Sequence, residues 1–358
     1  MNILYITKYF PPEYGGIETL SKNICDFFYK KNKKIEVICF SKKKTHISKI
    51  HNYKVYFFKP IFNLFSTPIS LSIVFYIINN YKKYDCIHVH TPNPLIELAL
   101  IFLPIKKLII SWGSDIINQK ILKFFFKPIQ FCLLKKSKKI ISLSNSYLNY
   151  SQDLKKFKKK IVIIPPIIKT FSYKHKIKNI KIINILMIGR LVDYKGYNIA
   201  IEAIKFLPKN YNLNIIGSGK NKKNILSQIT NLKLNKRIKL IDKANDAVKE
   251  KYLKKSSIFL MCSTSRAESF GISILEAISN SLPLIISNVK GSGMNDMIID
   301  KFNGYKFKNA SSKDCAKKII KLCETESKLN LFSKNSLKIF KNKFNKKKIE
   351  ENLNRIYN

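Results

Sequence analysis

SRAESFGISILEAISNSLPLIIS, residues 265–287, is the stretch that decides the fold. Residues 258–261 precede it with the length and apolar character of a buried strand. Ile272, Leu275, Ile278 and Leu282 then recur at helical spacing. Pro283 stops that helix, because it has no N–H to donate and its ring crowds the preceding turn, and 284–286 reads as the next strand. Strand, loop, helix and strand make one unit of a parallel sheet covered by helices. In such a unit the loop and the first helical turn face a crevice beyond the strand ends, where free amides of Phe270, Gly271 and Ile272 can meet an anion. Glu268 lies on that loop. Glu276 follows the core position Leu275, about 100° further around the helix, and is expected to point along the crevice. Two carboxylates beside free amides suit a polyol next to a phosphate, although a pair of glutamates taken alone is more often a helix cap and a solvated side chain.

The same alternation extends in both directions. Upstream, strands are expected at 2–6, 35–39, 55–58, 86–89, 108–111, 139–143 and 161–164, with helices at 17–29, 94–103 and 120–134 between several of them. Pro165-Pro166 closes this part, and the Lys-rich stretch 169–181 reads as a linker. Strands at 182–188, 213–216 and 237–241 follow, separated by helices carrying Ala200, Ala203, Ile204 and Leu207 and then Ile225, Ile229 and Leu232. A short helix at 248–254 leads to the opening stretch, and helical segments fill 313–357. At 358 residues the chain exceeds one ordinary core. It is expected to form two doubly wound α/β domains with a crevice between them.

All 11 glycines fall in candidate turns or loops. Gly217, Gly219 and Gly304 read as simple turn residues. Gly15-Gly16, in PPEYGGIE between the first strand and a helix, lets backbone approach a phosphate at the helix start. Gly189-Arg190-Leu191, followed by Lys195-Gly196, sits just after the first strand of the second half. Were the anion at such a loop a diphosphate, its charge would need to be neutralised by a metal or by fixed cations. No Asp-x-Asp occurs in the chain, so Arg190 and Lys195 are the natural substitute, with a solvated cation the plain alternative for Lys195. In the first half, His88 and His90 in HVHTPNP and Trp112 and Asp115 in SWGSDII end two strands. His88 reads as structural. Trp112, the only tryptophan, reads either as a stacking platform for a sugar or as core.

Together these motifs resemble the retaining glycosyltransferases of family 4, and the resemblance runs over essentially the whole chain. It implies the GT-B architecture: an acceptor-binding Rossmann-like domain at 1–168, a linker at 169–181, a nucleotide-sugar-binding Rossmann-like domain at 182–340, and a C-terminal helix at 341–358 crossing back to the first domain. Glu268 is then a catalytic residue contacting the transferred sugar, and His90 a second catalytic candidate. Gly15, Gly16, Arg190, Lys195, Ser269, Phe270, Gly271 and Glu276 would bind the donor, Glu276 through its ribose, while Trp112 and Asp115 would line the acceptor side. No metal and no cofactor beyond the nucleotide diphosphate sugar is implied. Family members usually carry a His beside the Ser-Asp of the second stretch, where this chain has Trp112 and Gly113. Retaining transfer needs little acid–base help from that loop if the departing phosphate itself takes the acceptor proton.

Charge narrows the partners. The net charge is +45, yet 63 of the 67 basic residues are Lys, spread along the whole chain. That pattern argues against nucleic-acid recognition and leaves codon bias or attraction to an acidic lipid or acceptor. Seven cysteines without a Cys-x-x-Cys read as thiols in a reducing compartment. No signal peptide is evident, and the apolar stretch 61–78 is interrupted by Asn63, Ser66, Pro68, Ser70 and Ser72, so a core or surface helix is expected there in place of a span. The expected protein is a cytoplasmic retaining glycosyltransferase, peripheral on the inner membrane face, that moves a sugar to a saccharide or lipid-linked saccharide in cell-surface polysaccharide or glycolipid synthesis. A nucleotide-sugar epimerase of similar fold and a non-catalytic carbohydrate- or polyanion-binding protein are the rival readings.

Overall fold

The computed structural model describes residues 1–13, 15–64, 67–116, 120–168, 180–242 and 244–357. It contains two compact units, one formed by residues 1–167 with 346–358 and the other by residues 168–345. Most of the linker expected at 169–181 lies outside the described residues.

The first unit is built on β1 (Asn2–Ile6), β2 (Lys34–Phe40), β3 (His46–Ile50), β4 (Tyr53–Phe58), a hairpin of β5 (Phe62–Leu64) and β6 (Thr67–Ile69), then β7 (Cys86–Thr91), β8 (Leu108–Trp112), β9 (Lys139–Ser142) and β10 (Ile161–Ile163). The main sheet runs β10-β9-β8-β7-β1-β2-β4-β3, parallel except for the edge strand β3. Its central strands carry apolar residues on both faces, as a sheet covered on both sides requires. Helices α1 (Gly16–Lys30), α2 (Leu71–Asn80), α3 (Pro94–Phe102), α4 (Lys120–Lys136) and α5 (Asn145–Tyr150) belong to this unit. α1 buries Leu20, Ile24, Phe27 and Phe28, one stripe at helical spacing. The C-terminal helix Lys346–Tyr357 closes the unit: the Tyr357 hydroxyl bonds His88 Nδ1, and Ser111 Oγ lies 2.7 Å from His88 Nε2. His88 is thus a satisfied structural residue.

The stretch 61–78 is not one helix. Pro68 and Ser70 break it, so that a hairpin comes first and helix begins only at Leu71, with Ser70 as the residue before it. Ile73 and Ile77 of α2 point inward, and Tyr76 ties the helix to the sheet by donating to Glu36 of β2 at 3.2 Å. Among the described residues no helix is long and apolar enough to cross a membrane.

The second unit is a six-stranded parallel sheet in the order β13-β12-β11-β14-β15-β16, with β11 (Ile183–Ile188), β12 (Tyr211–Ile216), β13 (Ile238–Ile241), β14 (Ile258–Met261), β15 (Leu284–Ser287) and β16 (Gly304–Phe307). α6 (Tyr197–Lys205), α7 (Lys222–Asn231), α8 (Asp246–Lys255), α9 (Ile272–Ser279), α10 (Ser312–Leu322) and α11 (Glu326–Lys343) complete it. Ala200, Ala203 and Ile204 of α6 are fully buried as their spacing predicts, whereas Leu207 is buried just beyond the helix end. β16 escapes the sequence reading because it opens with Gly304, taken there for a turn residue. A Cβ at Gly304 would come within 2.1 Å of the Leu284 carbonyl oxygen, so the glycine is what lets β16 lie beside β15.

In this sheet β11 is flanked by β12 on one side and β14 on the other. Chain order reverses there, and the gap between the loops at the C-terminal ends of β11 and β14 is where a doubly wound sheet accepts a ligand.

Candidate active site

Both loops at this switch point carry residues singled out by sequence. After β11 come Gly189 and Arg190, a short 3-10 turn at Asp193–Lys195, and Gly196 in the left-handed region (φ 67°) ahead of α6. A Cβ at Gly196 would sit 2.1 Å from the Cys262 carbonyl oxygen, so only glycine allows the turn to close on the loop after β14. The consequence is an ion pair across the gap. Lys195 Nζ donates to Glu268 Oε2, with both side chains about 10% exposed, and Ser263 Oγ donates to the same oxygen at 3.4 Å. Glu268 Oε1 has no protein partner among the described residues. Lys195 is therefore not a solvated loop cation. It is clamped beside Gly189, whose carbonyl accepts from the Tyr197 hydroxyl at 2.9 Å, and any side chain at 189 would press on both Lys195 Nζ and that hydroxyl. Arg190 is exposed, with its Nη2 3.5 Å from the Tyr194 hydroxyl.

The rest of the motif is held by backbone packing. Ser292 Oγ donates to the Glu268 carbonyl at 2.6 Å, and Gly293 packs so close under Ser269 that a Cβ would lie 2.1 Å from the Ser269 carbonyl oxygen. Phe270 is buried edge-on against Phe344 at 6.2 Å between centroids. Gly271 takes φ 91° and caps α9, leaving the first amides of that helix facing the loop. Glu276, one turn into α9, meets a second lysine: Lys249 of α8 donates to its Oε1 at 2.7 Å. Burial works against the Lys249 ammonium, but the Glu276 carboxylate outweighs it and holds the lysine protonated. Each carboxylate of the Glu-x7-Glu pair is thus oriented by one lysine and keeps a second oxygen without a protein partner among the described residues.

In the first unit the C-terminal sheet edge is assembled differently. Gly15 precedes α1 and Gly16 opens it, with the Glu18 carboxylate folded back over Gly15, where a Cβ would lie 2.1 Å from Glu18 Oε2. His90, at the end of β7, is 4% exposed, neither ring nitrogen has a partner among the described residues, and burial holds its pKa down at about 4. Trp112 is 3% exposed and packs in the core, its indole N–H donating to Asp115 Oδ1 at 3.0 Å. Asp115 is itself buried, accepting from Ser151 Oγ at 2.7 Å while its amide donates to the Tyr147 hydroxyl at 2.5 Å. Trp112 therefore presents no open ring face for stacking on a sugar. The sequence pattern could not separate the two because a strand-end tryptophan serves either purpose.

Residues 170–339 match the family described as Glycosyl transferases group 1, and residues 15–144 match Glycosyl transferase 4-like. The chain is a family-4 glycosyltransferase. It is 26% identical over 360 residues to the O-antigen chain mannosyltransferase C of Escherichia coli, covering 96% of this chain and 94% of that one. It is 25% identical over 287 residues to the UDP-Gal:alpha-D-GlcNAc-diphosphoundecaprenol alpha-1,3-galactosyltransferase of Escherichia coli, covering 74% and 72%. Among solved structures, Anabaena HepE in complex with UDP and glucose superposes with a TM-score of 0.80 at 16% identity, over 100% of this chain and 99% of that one, which fixes the shared GT-B fold. The enzyme is accordingly a retaining glycosyltransferase that draws on a nucleotide-sugar donor.

Several residues of the glycosyltransferase escaped the sequence reading. Lys249 left no signal, since one lysine among 63 is invisible until α8 is placed against α9. Gly217 was passed over as a turn residue, yet a Cβ there would lie 1.9 Å from the Gly189 carbonyl oxygen, so it makes room for the Arg190 loop. Glu97 did leave a signal, as the one carboxylate inside the apolar run of α3. It is fully buried, accepts from the Asn93 amide at 2.5 Å, and has its pKa pushed up to about 7 by burial against the help of that amide and of Gln130 beside it. Asn93, also buried, has no side-chain partner among the described residues.

Proposed function

We propose that the enzyme transfers a sugar from a nucleotide diphosphate sugar to a saccharide or lipid-linked saccharide acceptor during synthesis of a cell-surface polysaccharide or glycolipid, and that it works peripherally on the cytoplasmic face of an anionic membrane. The observation that carries the donor half is the Lys195–Glu268 pair at the β11–β14 switch point, beside the Arg190 loop. Arg190 and Lys195 receive the diphosphate as its bond to the sugar breaks and charge grows on the leaving oxygen. Glu268 Oε1 accepts from hydroxyls of the transferred sugar, and Glu276 accepts from the ribose. The acceptor oxygen bonds to the anomeric carbon on the face the diphosphate leaves, and the acceptor proton passes to the departing phosphate, so no separate base is required. The two Escherichia coli relatives, one named for an O-antigen chain and one for a diphosphoundecaprenol-linked acceptor, support the acceptor class. The membrane reading is supported by the +45 charge.

Thermal stabilisation across a panel of nucleotide sugars tests the donor assignment, since a ligand at a hundred times its dissociation constant adds about 2.7 kcal/mol. Incubation with the best donor, with and without lipid-linked acceptors, then separates transfer from epimerisation. Conversion of donor to an isomer without acceptor contradicts the reading, as does a complete absence of stabilisation.

A further inference from the structure

The first unit carries an apolar face that its own fold leaves uncovered. Leu71, Phe75 and Ile78 form one outward stripe of α2, opposite its buried Ile73 and Ile77. α2 packs on α3, which turns Leu98 and Phe102 outward, and α3 packs on α4, which exposes Phe124 and Phe125. Phe102, Phe124, Phe125 and Phe75 are 77, 76, 69 and 60% exposed, far from the usual fate of phenylalanine. The β5–β6 hairpin runs directly into α2 and adds exposed Ile61, Phe62 and Leu64.

Charge identifies the occupant. The three helices contain one carboxylate, Glu97, and it is buried, so the helices themselves show no acidic side chain, although exposed Asp85 follows α2. Exposed Lys82, Lys106 and Lys127 lie on or next to the same helices. A protein partner selects interfaces depleted in lysine. A bilayer of anionic lipid favours the opposite combination, aromatic rings sunk to the acyl boundary and lysines reaching the headgroups.

We propose that the α2–α3–α4 face is the surface by which the enzyme lies on an anionic membrane. The proposal rests on the peripheral-membrane reading given above and assigns it a place on the molecule. It also puts the apolar contact on a unit distinct from the one holding the Lys195–Glu268 pair, so the two functions are separable by mutation.

Flotation of the full chain with vesicles of phosphatidylglycerol and phosphatidylethanolamine, and with phosphatidylcholine alone, decides it. Wild type is expected to float with the anionic vesicles at low salt and to be released at high salt. Phe75→Ser, Phe102→Ser and Phe125→Ser combined should lower partitioning by about a hundredfold. Nucleotide affinity and melting temperature should stay unchanged, because the rings are solvent-exposed. Lys82→Glu, Lys106→Glu and Lys127→Glu combined should erase the preference for anionic lipid, and this set decides the question if the serine variant does not fold. Wild-type flotation of both variants leaves the membrane reading standing but overturns this surface. A wild type that ignores anionic vesicles at low salt overturns the reading and the surface together. A dimer that the serine substitutions dissociate, without flotation, assigns the face to a second copy of the chain instead.

Discussion

The two sheets are built alike, and their C-terminal edges are not. In the second unit that edge gathers lysine–carboxylate pairs, Lys195 with Glu268 and Lys249 with Glu276, whose carboxyl pKa burial pushes up against the pull of Lys249, with Arg190 exposed beside them. In the first unit the corresponding edge gathers groups that burial keeps uncharged or satisfied: neutral His90, Glu97 raised to about 7, and the Trp112–Asp115 pair. Under the proposed function, with donor on the second unit and acceptor on the first, the difference follows from what each would meet. A nucleotide diphosphate brings charge, which fixed cations and carboxylates can orient at little reorganisation cost, whereas hydroxyls are met by neutral donors and acceptors. One architecture thus supports opposite electrostatics, because the sheet fixes only where loops end and the loops decide what is placed there.

The largest test removes a charge from the paired edge. Lys195→Ala leaves Glu268 buried without its partner, so stability should fall by about 3–5 kcal/mol in denaturant titration, and turnover by about 100- to 1,000-fold. The double substitution Lys195→Met with Glu268→Gln separates the two effects. Removing both charges should restore most of the stability and none of the turnover. Recovery of turnover in the double variant would sink the assignment of these residues to chemistry.

At the uncharged edge the sharpest probe is Glu97. Its pKa is raised in the fold, so the folded state holds the proton more tightly than the unfolded chain. The associated stability is fully present below about pH 4.5 and is lost as pH rises through about 7. Glu97→Gln removes that dependence. The variant should gain about 3 kcal/mol on wild type between pH 4 and pH 8, measured by denaturant titration at each pH. His90 works with the opposite sign, its contribution present above about pH 6.5 and lost toward pH 4, but both proteins share it and it cancels from the difference. A flat difference across this range contradicts the buried, protonated Glu97.

How much of this was legible depended on whether neighbours in space were neighbours in sequence. The β14-loop-α9-β15 unit was legible because strand, loop glycine, helix and Pro283 follow one another, and the Gly189-Arg190 loop because glycine after a strand marks a tight turn. Neither ion pair could be read, since Lys195–Glu268 spans 73 positions and depends on Gly196 fitting against Cys262. β3 and β16 were missed for opposite reasons. β3 is a polar edge strand, HISKI, half-exposed along its length, and β16 starts with a glycine. The stretch 61–78 misled because hydrophobicity alone does not separate a hairpin from a helix, and here Pro68 and Ser70 settle it.

Arg190 offers a finer division within the charged edge. A chain with 63 lysines and four arginines uses Arg directly after Gly189, and a guanidinium presents two parallel donors where an ammonium presents a point charge. Arg190→Lys preserves charge and removes the fork. Turnover should fall by about ten- to a hundredfold with the Michaelis constant for donor little changed, corresponding to roughly 1.5–3 kcal/mol for a charge-assisted bond made as the diphosphate departs. A rise in the Michaelis constant with unchanged turnover places the fork on the ground state. Wild-type values for both constants make Arg190 an ordinary surface cation.

The smallest expected effect is at Trp112, and it tests whether the uncharged edge is structural where it is buried. The indole N–H donates to Asp115 Oδ1, which also accepts from Ser151, and the Asp115 amide is held by Tyr147. Trp112→Phe keeps an aromatic ring in the core but deletes one donor of this network. Asp115 retains the Ser151 hydroxyl, so the loss should be near that of a single hydrogen bond to a charged group, about 1.5–3 kcal/mol at most and closer to the lower figure. A ring that only packs and donates inward has no contact to lose with a sugar, so the Michaelis constant for acceptor should be unchanged while the melting temperature drops. The converse result, unchanged melting with a severalfold higher Michaelis constant for acceptor, would mean that Trp112 turns outward when acceptor binds.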